Sequence, residues 1–134
     1  MNVQQKKILV LDDTEDIINL IKDILSEEDY EVKGFTHTDD IIKLIKAEKP
    51  DLVLIDYLLT GINGGEFCHQ IKKHEDTAHT PVIMLSAHAR VLNSLGNYGW
   101  DAFIEKPFDI DDLKQTVKHV LNHNAELSLT MKAS

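Results

Sequence analysis

The stretch LVLIDYLLT, residues 52–60, is almost entirely apolar, and its only charged residue is Asp56 at the centre. The four aliphatic residues before that aspartate predict a strand buried on both faces of a parallel sheet. A carboxylate loses hydration worth several kcal/mol when it is buried, so it rarely ends such a strand without a partner. The position of Asp56 therefore has to be explained by other parts of the chain.

The composition indicates one globular domain. The chain has 134 residues, of which 43% are hydrophobic and 28% are charged, and a chain of this length can bury a substantial core. A single cysteine, Cys68, excludes an internal disulfide and predicts an ordinary buried thiol in a reducing compartment. The start is polar and no apolar run approaches the roughly 20 residues needed for a membrane span, so we expect a cytoplasmic protein without membrane insertion.

The charge excludes one class of function. The net charge is −9, and the sequence has no basic stripe of the kind that binds nucleic acid. We therefore expect no direct contact with DNA or RNA, although the charge alone does not identify a partner.

Short apolar runs alternate with segments of helical spacing along the chain. This alternation predicts a doubly wound α/β fold, in which helices cover both faces of a five-stranded parallel sheet. The predicted strands are Lys7–Asp12, Tyr30–Thr36, Asp51–Asp56, Val82–Ser86 and Ala102–Glu105.

The helix boundaries are predicted from capping residues and glycines. Thr14 and Thr38 are predicted N-caps of the first two helices, and the third helix is expected near Glu66–His74. Between 89 and 99, glycines and asparagines predict a short or irregular segment in place of a regular fourth helix. The domain is expected to span 1–124, and 125–134 to form a short, frayed tail.

Polar groups follow the predicted strands, except the second. They are Asp12 and Asp13 at the end of the first strand, Asp56 and Ser86 at the ends of the third and fourth, and Lys106 after the fifth. Because the carboxyl ends of parallel strands share one edge of the sheet, we expect these five side chains to lie close together. Two like charges at about 4 Å repel by about 4 kcal/mol at an effective dielectric of 20, so three carboxylates need more than one lysine. Oxygen ligands of this kind predict Mg²⁺, with Mn²⁺ as an alternative.

Each of these residues also has a purely structural interpretation. Asp12 and Asp13 precede a helix and could cap it, Ser86 could bond to the backbone, and Lys106 could be solvated. Asp56 has little structural reason to end an apolar strand. Their occurrence together at four strand ends favours a functional site.

With these motifs the chain resembles the receiver domain of two-component response regulators. The resemblance extends from about Lys6 to His123, and it implies a flavodoxin-like fold with strand order 2-1-3-4-5. Because the chain ends soon afterwards, we expect a stand-alone receiver without an output domain. The motifs that carry the resemblance are LVLDDTED (9–16), DLVLIDYLLTGINGGEF (51–67), VIMLSAHA (82–89) and DAFIEKPF (101–108).

The resemblance implies that Asp56 accepts a phosphoryl group from a histidine kinase or a histidine phosphotransfer protein. It further implies that Asp12, Asp13, Asp56 and the backbone carbonyl of Leu58 bind the metal. Lys106 is implied as a contact of the phosphoryl group.

A conformational switch is also implied by the resemblance. Ser86 would move to bond the phosphoryl group, and Phe103 would swing inward with it. The Lys106–Pro107 bond is typically cis in this family. An unknown downstream protein is expected to bind the face formed by Phe103, Trp100 and the last helix.

The sequence departs from the family pattern at several positions. Thr60 replaces the usual proline, Ser86 the commoner threonine and Phe103 the commoner tyrosine, and the chain between Ser86 and Lys106 is shorter than usual. Leu58 and His88 occupy positions that flank the phosphoryl group. We therefore predict that these two side chains set the lifetime of the aspartyl phosphate.

Two other functions are compatible with parts of this pattern. A haloacid-dehalogenase-type phosphatase would need an Asp-x-Asp pair after the first strand, whereas Asp12 and Asp13 are adjacent. A degenerate receiver that binds partners without phosphorylation is the stronger rival, and the presence of all five polar residues disfavours it. The expected role is thus a signalling phosphoacceptor that catalyses only its own phosphorylation and slow dephosphorylation.

Overall fold

The computed structural model describes residues 5–59, 61–87 and 99–133, with side chains of the last helix described through His123. Strands and helices alternate from Lys7 to Ser86, and a fifth strand and a last helix follow among the described residues. The elements are β1 (Lys7–Leu11), α1 (Glu15–Ser26), β2 (Glu31–Phe35), α2 (Ile41–Glu48), β3 (Leu52–Asp56), α3 (Gly64–Lys73), β4 (Val82–Ser86), β5 (Ala102–Glu105) and α4 (Ile110–Ala133).

The five strands form one parallel sheet in the order β2-β1-β3-β4-β5. This arrangement confirms the predicted doubly wound fold and strand order. β3 and β4 lie inside the sheet, and every residue in each of them is buried. Their continuous apolar runs reflect this position, because a central strand covered by helices on both faces has no side exposed to water.

The core consists of two clusters, one on each face of the sheet. α1 and α4 pack over the first face through residues such as Ile21 and Val117. α2 and α3 pack over the second face, which includes Ile41 and Ile71. The polar residues singled out in the sequence lie at the carboxyl ends of the strands.

One predicted cap position, that of the second helix, differs from the structure, whereas the predicted position at the start of α1 is confirmed. α2 begins at Ile41, where the side chain of Asp40 accepts a hydrogen bond from the amide of Lys43 at 3.1 Å. Thr38 instead exchanges hydrogen bonds with the backbone of Asp40, so it orders the turn before the cap. Thr14 occupies the N-cap position of α1, but its side chain makes no capping bond.

α3, in contrast, begins earlier than predicted, at Gly64. The side chain of Asn63 accepts a hydrogen bond from the amide of Glu66 at 2.8 Å, which caps the helix. Because glycine has a low helix propensity, the sequence pattern places the start two residues too late.

The last helix runs to Ala133, beyond the expected boundary at 124. The backbone of the segment predicted as a frayed tail is therefore helical through that residue. Its composition explains the difference, since 125–133 contains alanine, leucine, glutamate, methionine and lysine and has neither glycine nor proline. None of the helices in the described part of the chain has the length and apolar character needed to cross a membrane.

Candidate functional site

The carboxyl edge of the sheet brings Asp12, Asp56 and Lys106 together. The Lys106 Nζ donates to Asp12 Oδ2 at 2.9 Å and lies 3.3 Å from Asp56 Oδ1. The other carboxylate oxygen of Asp12 accepts a hydrogen bond from the amide of Thr14 at 3.0 Å. Because Asp12 is fully buried, its carboxylate oxygens need partners within the protein, and these two hydrogen bonds supply one for each oxygen.

Asp13 completes a cluster of three carboxylates with Asp12 and Asp56. One oxygen from each of the three lies within 4.8 Å of the others. Asp13 is exposed, whereas Asp12 and Asp56 are buried, so the cluster opens toward solvent on one side. In the described ranges these three carboxylates lie near the ammonium group of Lys106, and hard oxygen ligands of this kind fit Mg²⁺. The donor set is therefore suited to a divalent cation.

The electrostatic environment of Asp56 is unfavourable for a charge. Burial raises the pKa of Asp56 above its usual value, and the nearby Asp12 carboxylate acts in the same direction. Lys106 and a hydrogen bond from the backbone amide of Leu58 oppose these effects without cancelling them. The ionised side chain is thus held in a position that needs additional positive charge.

Lys106 remains a cation in spite of its partial burial. Burial alone would lower the pKa of Lys106, but the hydrogen bond to Asp12 and the charge of Asp56 raise it above the usual value. Its position is fixed by the backbone as well, because the Lys106 amide donates to the Ser86 carbonyl at 2.8 Å. The Lys106–Pro107 peptide bond is cis.

Ser86 and Phe103 lie on adjacent strands near this edge. Ser86 ends β4 and is buried. Phe103 on β5 pairs in register with Met84 and is partly buried against the second core cluster. The structure thus places a hydroxyl at a strand end beside the site and an aromatic ring on the neighbouring strand.

Gly64 is a site residue that the sequence did not reveal. A Cβ atom at this position would lie 2.3 Å from the carbonyl oxygen of Asp56 and 2.9 Å from Ile55 Cγ2. The first turn of α3 therefore packs directly against the backbone of Asp56, and only glycine permits this approach. The glycines in the sequence indicate a loop here, but the close contact of Gly64 with Asp56 depends on the three-dimensional packing.

Among the residues predicted to flank the phosphoryl group, Leu58 is 55% exposed beside Asp56. His88, Thr60 and positions 89–98 of the predicted irregular segment lie outside the described residues.

Cys68 and two histidines of the last helix, His119 and His123, do not belong to the aspartate cluster. Cys68 is fully buried in α3, and burial raises its pKa to about 12, so it remains a protonated thiol at neutral pH. His119 and His123 are exposed, and their rings stack with centroids 6.2 Å apart. In the described ranges, the only group of three or more acidic, histidine or cysteine ligands is the aspartate cluster.

Comparison with known proteins identifies a family for most of the chain. The family described as "Response regulator receiver domain" matches residues 8–118. The chain is 32% identical over 127 residues to the probable transcriptional regulator ycf29 of Cyanophora paradoxa, covering 93% of this chain and 60% of that protein. It is also 32% identical over 121 residues to the alkaline phosphatase synthesis transcriptional regulatory protein PhoP of Bacillus subtilis, covering 89% and 50% of the two chains.

The fold is shared with solved receiver structures. The crystal structure of the receiver domain of NtrX from Brucella abortus superposes with a TM-score of 0.76 at 34% identity, covering 86% of this chain and 98% of that one. The chain spans only 50–60% of the length of the curated relatives that it matches. The family match over most of its length nevertheless shows that the chain belongs to the response regulator receiver domain family.

Proposed function

We propose that this protein accepts a phosphoryl group on Asp56 from a phosphohistidine of a histidine kinase or a histidine phosphotransfer protein. The observation that carries the proposal is the cluster of Asp12, Asp13 and Asp56 around Lys106, at the carboxyl edge of a receiver fold. The cluster contains more negative charge than its lysine can offset, so it is prepared for a bound cation.

The proposed reaction follows from the position of the Asp56 carboxylate. One of its oxygens attacks phosphorus, the O–P bond forms as the P–N bond breaks, and the imidazole nitrogen keeps the bonding electron pair. Such transfers ask the protein mainly for positioning and for neutralisation of charge. Lys106 contributes a positive charge 3.3 Å from the nucleophile. A divalent cation, when bound, supplies further charge neutralisation at the phosphoryl oxygens.

The proposed metal ligands are Asp12, Asp13, Asp56 and the backbone carbonyl of Leu58, with Mg²⁺ as the physiological ion. Asp12 is held by Thr14 and Lys106, so its carboxylate cannot rotate freely. Asp13 lies on the open side of the cluster and is the ligand that an incoming ion would reach first.

The proposed output is a change in protein binding. Phosphorylation would favour a conformation in which the Ser86 hydroxyl bonds the phosphoryl group, and Phe103 would repack with it. The partly buried positions of Phe103 and Trp100 on the second core cluster support a shift of this kind. A downstream protein would then recognise the face formed by these two residues and the last helix.

Intact-mass measurement tests the phosphoacceptor directly. Wild type and Asp56→Asn are incubated with acetyl phosphate in the presence of Mg²⁺ or of EDTA. We expect a gain of one phosphoryl group that requires both Asp56 and the metal. An unmodified wild type with acetyl phosphate, phosphoramidate and a phosphohistidine donor would contradict the proposal and favour a degenerate receiver.

The lifetime of the aspartyl phosphate is proposed to depend on Leu58 and His88. Exposed Leu58 lies beside the nucleophile, where a polar side chain could guide water. Hydrolysis of the phosphorylated protein is followed by mass for wild type, Leu58→Asn and His88→Ala. Leu20→Asn on α1 is the matched control, because Leu20 is also an exposed leucine. Equal rates for all four proteins would refute this role.

A further inference from the structure

A cleft of about 540 Å³ opens next to Asp13, between the loop that follows β2 and the loop that follows β3. This volume lies in the range of about 300–1,000 Å³ that is typical of small-molecule sites. Part of its lining is apolar and comes from Leu11, Leu59, Ile62 and Phe67. Leu11 and Phe67 are almost fully buried core residues, so these two side chains are held in place by packing.

The polar part of the lining has an acidic character. Asp13 and Asp39 contribute carboxylates, whereas the described lining contains neither lysine nor arginine. His37 Nε2 lies 2.8 Å from Asp39 Oδ1, and both side chains are largely exposed. Gln70 of α3 adds an amide that can donate and accept hydrogen bonds. With His37 neutral, the formal charge of the described lining is negative, so it favours a cation with an apolar body over an anion.

We propose that this cleft binds a small organic cation in which an amidinium, guanidinium or ammonium group is attached to a flat apolar body. The charged group would lie toward Asp13 and Asp39, and the apolar body against Leu59, Ile62 and Phe67. Nothing in the phosphoryl-transfer chemistry requires such a ligand, so the site adds a binding function to the proposed phosphoacceptor.

Asp13 links this cleft to the aspartate cluster, since its side chain belongs to both. A cation in the cleft and a divalent cation in the cluster would both be attracted to the Asp13 carboxylate, and they would repel each other. Each should therefore weaken the other by the same factor, because coupling between two binding sites is reciprocal. The organic cation would in this way lower the affinity for Mg²⁺, on which the proposed phosphorylation depends.

The test uses three ligands of nearly the same shape and different charge. Benzamidine is cationic, benzamide is neutral and benzoate is anionic. Each is titrated into the isotopically labelled protein, and binding is measured from backbone amide chemical shifts. We expect benzamidine to bind in the millimolar range or tighter, as for ligands of about nine heavy atoms. Its shifts should map to Gly61, Phe67 and Gln70, and benzamide should bind about tenfold more weakly because it lacks the charge.

The linkage to the metal is measured in the same titrations. Saturating Mg²⁺ should weaken benzamidine binding by about tenfold, and benzamidine should raise the Mg²⁺ dissociation constant by an equal factor. Affinity for benzamidine that does not change with Mg²⁺, or equal binding of all three ligands, would overturn the assignment.

Two variants locate the site. Asp39→Asn should weaken benzamidine binding by about threefold, whereas Glu75→Gln, which removes an exposed acid outside the cleft, should leave it unchanged. Gln70→Trp should fill the cleft and abolish saturable binding. Unchanged binding in both Asp39→Asn and Gln70→Trp would refute the site. Phosphorylation by acetyl phosphate is measured on each protein. A failure of the proposed ligand binding can then be distinguished from a failure of the proposed phosphorylation.

Discussion

The amino and carboxyl edges of the sheet differ in how their acidic side chains are paired with lysines. Near the amino ends of the strands, Glu48 is paired with two lysines, Lys7 at 2.9 Å and Lys33 at 3.2 Å. At the carboxyl edge, Lys106 is shared between Asp12 and Asp56. Hydrogen bonds from Lys7 and Lys33 lower the pKa of Glu48, whereas burial and Asp12 raise the pKa of Asp56.

This difference separates a stabilising ion pair from a reactive site. An acid with two cationic neighbours is more stable as an anion in the fold than in water. Asp56 is less stable as an anion in the fold, and folding must offset that cost elsewhere. Among the described residues, the carboxyl edge has more acidic than basic side chains, and a ligand is expected to bind where burial makes a carboxylate unfavourable.

Removal of the lysine at each edge should give the largest contrast. Lys106→Met leaves two buried carboxylates without their cation, so we expect the phosphorylation rate to fall about a hundredfold. In metal-free buffer it should also lower the free energy of unfolding by about 2–4 kcal/mol. Lys7→Met should cost less than about 1 kcal/mol, because Lys33 still pairs with Glu48. Acetyl phosphate kinetics and urea denaturation measure the two effects, and similar losses for both variants would contradict the contrast.

The glycines of the loop after β3 allow a second comparison. Gly64→Ala should lower the free energy of unfolding by about 2–4 kcal/mol, because the new methyl group would meet the Asp56 carbonyl oxygen. Gly61→Ala should cost about 1–2 kcal/mol, since Gly61 has a φ of 95° but, apart from its chain neighbours, no described residue has an atom within 4 Å of an added Cβ. Phosphorylation should be impaired only in Gly64→Ala. Equal stability of the two variants in thermal denaturation would show that the close contact at Asp56 is unimportant.

Magnesium should stabilise the carboxyl edge selectively. At about one hundred times its dissociation constant, a ligand that binds only the folded state raises the free energy of unfolding by about 2.7 kcal/mol. We expect this gain in wild type and in the amino-edge variant Glu48→Gln, but a much smaller gain in Asp13→Asn. Urea denaturation with Mg²⁺ or EDTA provides the measurement. A full response in Asp13→Asn would exclude Asp13 as a ligand.

Stability as a function of pH gives the smallest effects, with opposite signs at the two edges. The pKa of Asp56 is raised above 3.8, so its ionisation destabilises the fold as the pH rises from 3.8 through the folded value. Asp56→Asn should therefore gain stability relative to wild type over this window. The pKa of Glu48 is lowered below 4.5, so its contribution is present above 4.5 and is lost as the pH falls through the folded value.

Glu48→Gln should accordingly be less stable than wild type above pH 4.5 and approach it on acidification. Denaturation curves in EDTA across this range compare both variants with wild type. A stability change of the same sign for both variants at neutral pH would contradict the assigned environments.

The sheet and its polar edge could be predicted from sequence because both depend on local pattern. β3 and β4 read as continuous apolar runs, and β4 and β5 have the predicted bounds. The parallel arrangement then places the strand ends together, as the contacts of Lys106 with Asp12 and Asp56 show.

Features that depend on packing or on competition between caps were not predictable in the same way. Thr38 and Asp40 are both good capping residues, and only the backbone path decides that Asp40 caps α2. The requirement for glycine at position 64 arises from a contact with Asp56, eight residues earlier in the chain. The helical backbone after 124 continues a favourable local composition past the point where the family pattern ends.

The hydrogen bond from the Lys106 amide to the Ser86 carbonyl also affects how the sheet assembles. Glu105 pairs with Ser86 in the register of β4 and β5. A shift of β5 by one residue would bring Glu105 toward the position of Lys106, and the aspartates would then face a further carboxylate in place of their cation. It would also turn Ile104 out of the core. Misaligned pairing of this edge strand is therefore penalised twice, so the charges needed for chemistry also help the chain to select its native alignment.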